Sequence, residues 1–518
     1  MIRFDKLRQS LSYAFEIGQI DKQIQSRELL PRWKIKLDRP RTHYLLLAGI
    51  TLLAFALRFY KLGEWSFWID EIRTVNRATA HYSTLGTLIQ NIPPATNWIP
   101  LSTMLTAAAI HFFGLSEWSA RFASAIIGIV SIPVLFFPIR RLLGPGIALM
   151  AAFLLALSPW HLYWSQNARY LTSLLLFYAL ASFAFFFGLE RDRIGYFFLF
   201  ILLFYLAASE RLYALFIIPV VLSYLLLLKL LSFETPPGLR PRNLLVLSLP
   251  VLGLIVIEVF TLIANGTSRF FADFGGFLGS SIENPLGQTI FILSEIGIPL
   301  VAFSFFTGIY LVLQKSRLGL FLWLGAVVPV FLLILITPFT FTEERYVFLT
   351  LPSWIMLGAI GVREIFLQTE SNSKLLAVGI LVVFLADAGG ENLMYYRVNH
   401  GDRRDWRGAF ALVKEQSREG DIFVSTWPEL GNYYLQQETI SWQDTNRDDV
   451  IAIGKRTWFV VIPDMAWFWH SEDFYWWVAH KTQLIDVRYL RRRDDANLYV
   501  YLYDPAQNRS QLQTGATD

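Results

Sequence analysis

Two adjacent carboxylates, Asp70 and Glu71, close the run WSFWIDE at residues 65–71, directly behind three aromatic residues and an isoleucine. The run begins just after an apolar stretch, residues 43–59, that reads as a membrane span. A carboxylate at the mouth of such a helix can take a proton from an attacking hydroxyl. It can also simply cap a helix, and Asp70 precedes the helix-like EIRTVNRATAHY. Glu71 can equally be a first-turn partner of that helix's dipole.

Further along, charged groups recur where apolar runs end: Arg73, Arg121, Arg169, the Glu210–Arg211 pair and Glu343–Glu344–Arg345. Such groups are expensive beside hydrocarbon unless they are paired or face a wet cavity. Arginine grips phosphate through forked hydrogen bonds. Several boundary arginines around a carboxylate pair are therefore what a phosphate-bearing lipid substrate requires. Plainer duties exist for each. Arg121 and Arg169 can snorkel from helix ends, Glu210–Arg211 can be a structural ion pair, and Arg345 can neutralise its two glutamates. His161 suits an interfacial position, and the seven histidines form no HxxxH pair, so no metal site is expected.

The elements that must hold these groups are membrane helices. The 518-residue chain is 54% hydrophobic, has a mean hydropathy of +0.42 and is only 17% charged, against about 25% in a soluble domain. That apolar excess is too large for one soluble core. The 22 Tyr and 17 Trp favour membrane–water interfaces. Absence of cysteine excludes disulfides and thiolate metal sites, and a net charge of +4 calls for no nucleic-acid partner. No cleavable signal peptide is visible.

Twelve apolar runs lie between residues 43 and 389. Paired basic residues such as Arg140–Arg141, Arg191–Arg193 and Lys315–Arg317 alternate with connections carrying single ones. The positive-inside rule places the pairs, and the basic segment 1–41, in the cytoplasm. The alternation closes only if the run at 98–113, which contains Pro100, Ser102, Thr103, Thr106 and His111, does not cross. That run is expected to be a juxtamembrane or re-entrant helix. The expectation is a polytopic α-helical membrane protein of about eleven spans, twelve or thirteen at most. Residues 42–390 form the membrane domain, with a first outer loop at 60–121, and 391–518 form a small extracytoplasmic α/β domain. In that tail DWRGAFALVKEQSREGD reads as a helix closed by Gly420, and DIFVST, RTWFVVI and NLYVYLY read as strands. DMAWFWHSEDFYWW at 464–477 can stack on sugars, dip into headgroups or pack a core. Asn265–Gly266–Thr267 matches a glycosylation sequon, which is a weak pattern.

These residues resemble the C superfamily of membrane glycosyltransferases, which use polyprenyl-phosphate-linked sugars. The likeness is to the branch of protein O-mannosyltransferases and the lipid A aminoarabinose transferase, and it covers about residues 42–390. WSFWIDE resembles the family's aromatic stretch ending in Asp-Glu. IPP at 92–94, leading into WIPLSTMLTAAAIHFFGLSEWSARF, resembles its proline-proline motif and short helix. FPIRRLLGPGIALMAAFLLALSPWHLYWSQNARY resembles its basic turn, apolar helix and "YS…AR" segment. TEERYVFLTLPSW resembles its "RYxxPxxP" segment. Three positions depart: Ile92 stands for the usual His, Ala-Thr-Asn-Trp follows the prolines, and Glu210–Arg211 replaces a Thr-Lys turn.

The resemblance implies an inverting transfer of a hexosyl or pentosyl unit from a polyprenyl-phosphate donor to a hydroxyl on a protein, lipid or glycan. Asp70 would be the base, with Glu71 orienting it or binding sugar or acceptor. Arg169, Arg211, Arg345 and Arg121 would bind the donor phosphate. Glu210, Glu344, Tyr170 and Tyr346 would line the sugar or acceptor side. No cofactor is required, and a divalent cation is compatible with two carboxylates without being demanded. The implied setting is a bacterial inner (plasma) membrane, among membrane lipids, with the site facing outward. The rival is a transporter or flippase for a lipid-linked or anionic substrate, which would want its charges at mid-span.

Overall fold

The computed structural model describes residues 40–81, 101–265, 284–368, 371–463, 466, 472–488 and 497–506. The segment 1–39, the IPP at 92–94, the end of the sequon and half of the 464–477 aromatic run lie outside the described residues.

Runs of Leu, Ile, Phe and Ala become helices because a helix alone satisfies every backbone group within a single segment in hydrocarbon. In chain order these are α1 (Pro40–Phe59), α2 (Ile69–His81), α3 (Leu101–Phe113), α4 (Glu117–Leu157), α5 (Pro159–Ser165), α6 (Leu171–Arg191) and α7 (Ile194–Glu210). There follow α8 (Ile217–Leu230), α9 (Pro241–Asn265), α10 (Pro285–Ile296), α11 (Ile298–Leu313), α12 (Arg317–Ile336), α13 (Leu351–Phe366) and α14 (Ser371–Arg397). Within α4 the helical path breaks at Gly144 (φ 80°, ψ 170°), directly before Pro145, so the expected spans at 122–139 and 146–160 are its two limbs.

Seven described helices are long and apolar enough to cross a bilayer, or eight when α10 and α11, bent by 93° at Gly297, count as one. All eleven expected spans fall on helix; α4, which holds two of them, counts once among the seven or eight of sufficient length and hydropathy. Of the run at 98–113, residues 101–113 are described, as the 13-residue α3, about 20 Å of helix. Leu45, Leu52, Leu202, Phe306, Leu375 and Val383 stay exposed on the helix exteriors, the apolar belt a lipid solvent requires. Phe185, Phe186, Tyr224 and Phe321 fill the bundle interior.

The boundary expected at 390/391 falls inside α14, which continues to Arg397. Beyond it come α15 (Trp406–Gln416), β1 (Ile422–Ser425), α16 (Pro428–Leu435), β2 (Ile440–Ser441), α17 (Arg447–Ile453), β3 (Thr457–Val461), α18 (Glu472–Lys481), β4 (Gln483–Arg488) and β5 (Leu498–Tyr503). Asp405 caps α15 by accepting from the Gly408 amide, and the helix ends at Gln416 rather than Gly420. The sheet order is β2-β1-β3-β5-β4, with β1 parallel to β2 and β3, and β5 antiparallel to β3 and β4. Alternation on β3 sends Trp458 and Val460 to one face and Phe459 and Val461 to the other. The first face shares its core with Phe67, Ile72, Val75, Ala120 and Ala168. The C-terminal sheet is thus packed onto the WSFWIDE loop and is not a detached module.

Gly401 marks the seam. Its φ is +65°, and a Cβ there would come within 2.5 Å of the Trp65 ring. Gly401→Ala should destabilise the docked domain by about 1–3 kcal/mol, read as a lower thermal midpoint and faster proteolysis at 398–405. Gly420→Ala, also at positive φ but with no atom within 4 Å, should cost less.

Candidate active site

The loop closes into helix when the Ile72 amide donates to the Trp68 carbonyl (3.1 Å). Asp70 and Glu71 therefore both stand in the first turn of α2, where the dipole favours negative charge. Asp70 is not the cap residue. Successive helical residues point about 100° apart, so the two carboxylates face different surroundings.

Glu71 turns inward and is fully buried. Arg121 grips it in a fork, Nε to Oε1 at 2.8 Å and Nη2 to Oε2 at 2.7 Å. The Ala168 amide donates to Oε1 (2.8 Å), and the Arg403 Nε stands 3.5 Å from Oε2. Arg121 spends its remaining donors on the carbonyls of Leu62 (3.1 Å), Trp65 (2.9 Å) and Ser66 (2.8 Å). A guanidinium has five N–H donors, and all five are taken. The expectation that Arg121 binds phosphate is corrected on that ground: it is buried and fully used inside the fold. Burial pushes the Glu71 carboxyl upward, but the charges of Arg121 and Arg403, with the Arg121 and Ala168 hydrogen bonds, outweigh it and hold the group below its ordinary value.

Asp70 turns to a cleft. Its Oδ2 lies 2.8 Å from the Arg345 Nη1 and 3.1 Å from the Arg169 Nη2. The other Arg345 terminal nitrogen, Nη2, pairs with Glu343. Arg169 also donates to the Asp70 carbonyl (3.1 Å). Trp68 lies under both guanidiniums, with the carbon of Arg345 5.4 Å and that of Arg169 5.9 Å from its ring, cation–π contacts that steer arginine without consuming its donors. The Trp68 indole is itself fixed by Asn167 (2.7 Å). Arg169 and Arg211 lie 5.0 and 5.3 Å from the Tyr170 ring, and Tyr346 stacks on Tyr213 at 4.0 Å. The Nε atoms of Arg169 and Arg345 are buried with no hydrogen-bond partner. Burial draws the Arg169 guanidinium below its ordinary value; Asp70 and Tyr170 oppose this, while Arg345 and Arg211 add to it.

The structure thus brings together Asp70, Arg169, Arg345, Tyr170, Arg211 and Tyr346. Glu210 stands apart. It is buried and accepts from the amide (3.1 Å) and hydroxyl (2.7 Å) of Ser102 in the first turn of α3, so it is a helix clamp, which corrects its assignment to sugar or acceptor. Glu344 is half-buried, and among the described residues it has no ion pair. Asp70 and Glu71 do not converge on one point, and guanidiniums already flank both, so the pair does not fit a cation. Among the described residues no group of three His, Cys, Asp or Glu is placed to hold a metal. Arg403 and Asn167 are not singled out by the sequence, and Glu343 stands there only as a boundary charge beside Glu344 and Arg345. Arg403 sits in the charged HGDRRDWRG block, where nothing distinguishes it from its neighbours.

Residues 93–263 match the family model described as dolichyl-phosphate-mannose-protein mannosyltransferase. The fold is similar to that of ArnT from Cupriavidus metallidurans bound to undecaprenyl phosphate, at TM-score 0.58 and 12% identity over 90% of this chain and 98% of that one. It is also similar to the oligosaccharyltransferase AglB from Archaeoglobus fulgidus, in complex with an inhibitory peptide and a dolichol-phosphate, at TM-score 0.54 and 12% identity over 84% of this chain and 70% of that one. A further structure of the Archaeoglobus enzyme, with zinc and sulfate, matches at TM-score 0.53 and 13% identity over 82% and 70%. No curated protein matches by sequence. The chain thus shares its fold with these structures, and its segment 93–263 is similar to the mannosyltransferase family model.

Removing one partner of a buried pair strands the other charge, at about 3–5 kcal/mol. Glu71→Ala should therefore lower the thermal midpoint and loosen the C-terminal domain to protease, whereas Asp70→Asn should leave both near wild type.

Proposed function

We propose that the protein is an inverting glycosyltransferase that moves a hexosyl or pentosyl unit from a polyprenyl-phosphate donor to an acceptor hydroxyl. The observation that carries this is the Asp70 carboxylate held between Arg169 and Arg345, in an aromatic-lined cleft where the membrane helices end. The undecaprenyl phosphate and dolichol-phosphate bound by the structural relatives support the donor class. Charges gathered at the helix ends, rather than at mid-span, favour an enzyme over a carrier.

In this reading Arg169, Arg211 and Arg345 hold the donor phosphate. Its lipid tail lies among the helices and its sugar beside Tyr170 and Tyr346. Phosphate takes over guanidinium donors now on Asp70, and the freed carboxylate faces the acceptor. The acceptor O–H proton passes to an Asp70 oxygen as the acceptor oxygen bonds to the anomeric carbon. The bond from that carbon to the phosphate oxygen breaks on the opposite face, and its electron pair stays on the phosphate. The arginines are fixed in place by Trp68 and Tyr170 before charge develops, the condition under which electrostatic stabilisation is strongest. Glu71 acts only through the fold, by fixing the turn that aims Asp70. The acceptor is a protein, lipid or glycan hydroxyl, and the site faces outward from a bacterial plasma membrane.

Protein in lipid, offered a panel of polyprenyl-phosphate monosaccharides with hydroxyl acceptors, should release free polyprenyl phosphate. Asp70→Asn should slow release by about 10²–10⁴-fold with the thermal midpoint kept. Equal rates would return Asp70 to a structural role. Arg211→Gln, at the open edge of the cleft, should raise the donor KM more than it lowers kcat.

A further inference from the structure

Glu343 is the carboxylate of the cleft that has no role in the scheme above. Arg345 carries one acid on each terminal nitrogen, Asp70 on Nη1 at 2.8 Å and Glu343 on Nη2. Glu343 is three-quarters buried (25% exposed), and Arg345 is 13% exposed. Burial raises the Glu343 carboxyl; Arg345 opposes this, and the charges of Glu344 and Asp70 raise it further. A buried acid is tolerated only with a compensating charge, and here it shares its guanidinium with the residue read as the base. Glu71 cannot supply the second charge of the cleft, since Arg121 and Arg403 neutralise it inside the fold.

We propose that Glu343 is a positioning residue that sets the charge of the donor site through Arg345, so that the cleft is matched to a singly charged phosphodiester and not to the doubly charged phosphate left after transfer. This rests on the reading of the cleft as the donor-phosphate site. Three guanidiniums, Arg169, Arg211 and Arg345, face the two carboxylates that arginine contacts in the cleft, Asp70 and Glu343, a balance of one positive charge; Glu344 forms no ion pair with them among the described residues. A lipid-linked sugar phosphate is a diester with one negative charge, so the loaded site is neutral. During transfer the acceptor proton moves to Asp70 while the phosphate gains its second charge, and the site stays neutral. When Asp70 returns that proton to solvent, one positive charge faces two negative ones. The product then sits in a site with an excess of negative charge, and it leaves. Without Glu343 the same site would match the product dianion and retain it.

The test is binding, which needs no acceptor. Wild-type protein in nanodiscs would be titrated with undecaprenyl phosphate and with its methyl phosphodiester at pH 8, where the monoester carries about two charges. The wild type should bind the diester at least as tightly as the monoester. Glu343→Gln should reverse that preference, tightening the monoester by at least about tenfold, and Glu343→Asp, which keeps the charge, should restore the wild-type order. A wild type that binds the monoester tenfold more tightly than the diester overturns the inference, and that comparison stands even if Glu343→Gln does not fold. So does a folded Glu343→Gln whose preference is unchanged. Arg211→Gln separates the two levels. If it weakens both ligands while Glu343→Gln changes nothing, the donor site stands and only the role of Glu343 falls. If it changes neither, the donor site itself is misplaced.

Discussion

The fork between Arg121 and Glu71 is the contact on which the rest is built. One guanidinium ties together the loop after α1, through the carbonyls of Leu62, Trp65 and Ser66, and the first turn of α2, through the Glu71 carboxylate. The same carboxylate receives the Ala168 amide, which fixes the bend between α5 and α6, and it draws in Arg403 from the segment that follows α14. Four separate stretches of chain are thus referred to one buried charge pair. Such a pair adds little net stability over an apolar substitute, but it penalises any arrangement that leaves either charge alone. It acts as a register pin for the cleft.

The cleft shows how one helix turn gives adjacent acids opposite employment. Glu71 meets full burial and matched donors; Asp70 meets two guanidiniums at a partly open edge. The aromatic residues before them divide in the same way. Trp65 packs against Gly401 and His400. Phe67 lies against Tyr433, and its amide donates to the Tyr434 hydroxyl (2.8 Å). Trp68 supports the arginines. Tyr434 in turn donates to Glu117 (2.9 Å), which also pairs with Arg407 (2.6 Å). The C-terminal sheet is therefore part of the mould that shapes the loop, and its contacts reach to within two residues of Asp70. A fold shared at 12% identity with ArnT is compatible with this, because the constraint lies in charge pairing and helix geometry, which many apolar sequences can satisfy.

Much of this was legible in the sequence for plain physical reasons. Apolar runs must be helices in hydrocarbon, and short apolar runs bounded by charge marked β1, β3 and β5. The carboxylates of WSFWIDE and the arginines at run ends called for partners, since charge at a membrane boundary requires one, and Asp70 does meet Arg169 and Arg345. The sequence also missed elements. β4, with its exposed edge and a register shift between Leu484 and Asp486, carries too weak a pattern to be read, and α15 ends where Ser417 turns extended (φ −71°, ψ 152°), before Gly420 is reached.

What only the tertiary structure decided is which charges meet. Arg121, Arg169 and Arg345 are the same residue type in similar boundary settings, and no local pattern separates the one whose five donors are consumed by the fold from the two that face Asp70. Glu343 and Glu344 are neighbours of identical chemistry, and Glu210 beside Arg211 looks like an ion pair until Ser102, more than a hundred positions away, is found to hold it. Local sequence fixes residue type, helix phase and hydropathy, because those depend on near neighbours. Pairing across 50 to 350 positions depends on how the helices pack, and it is this packing that separates a structural carboxylate from the one proposed as the base.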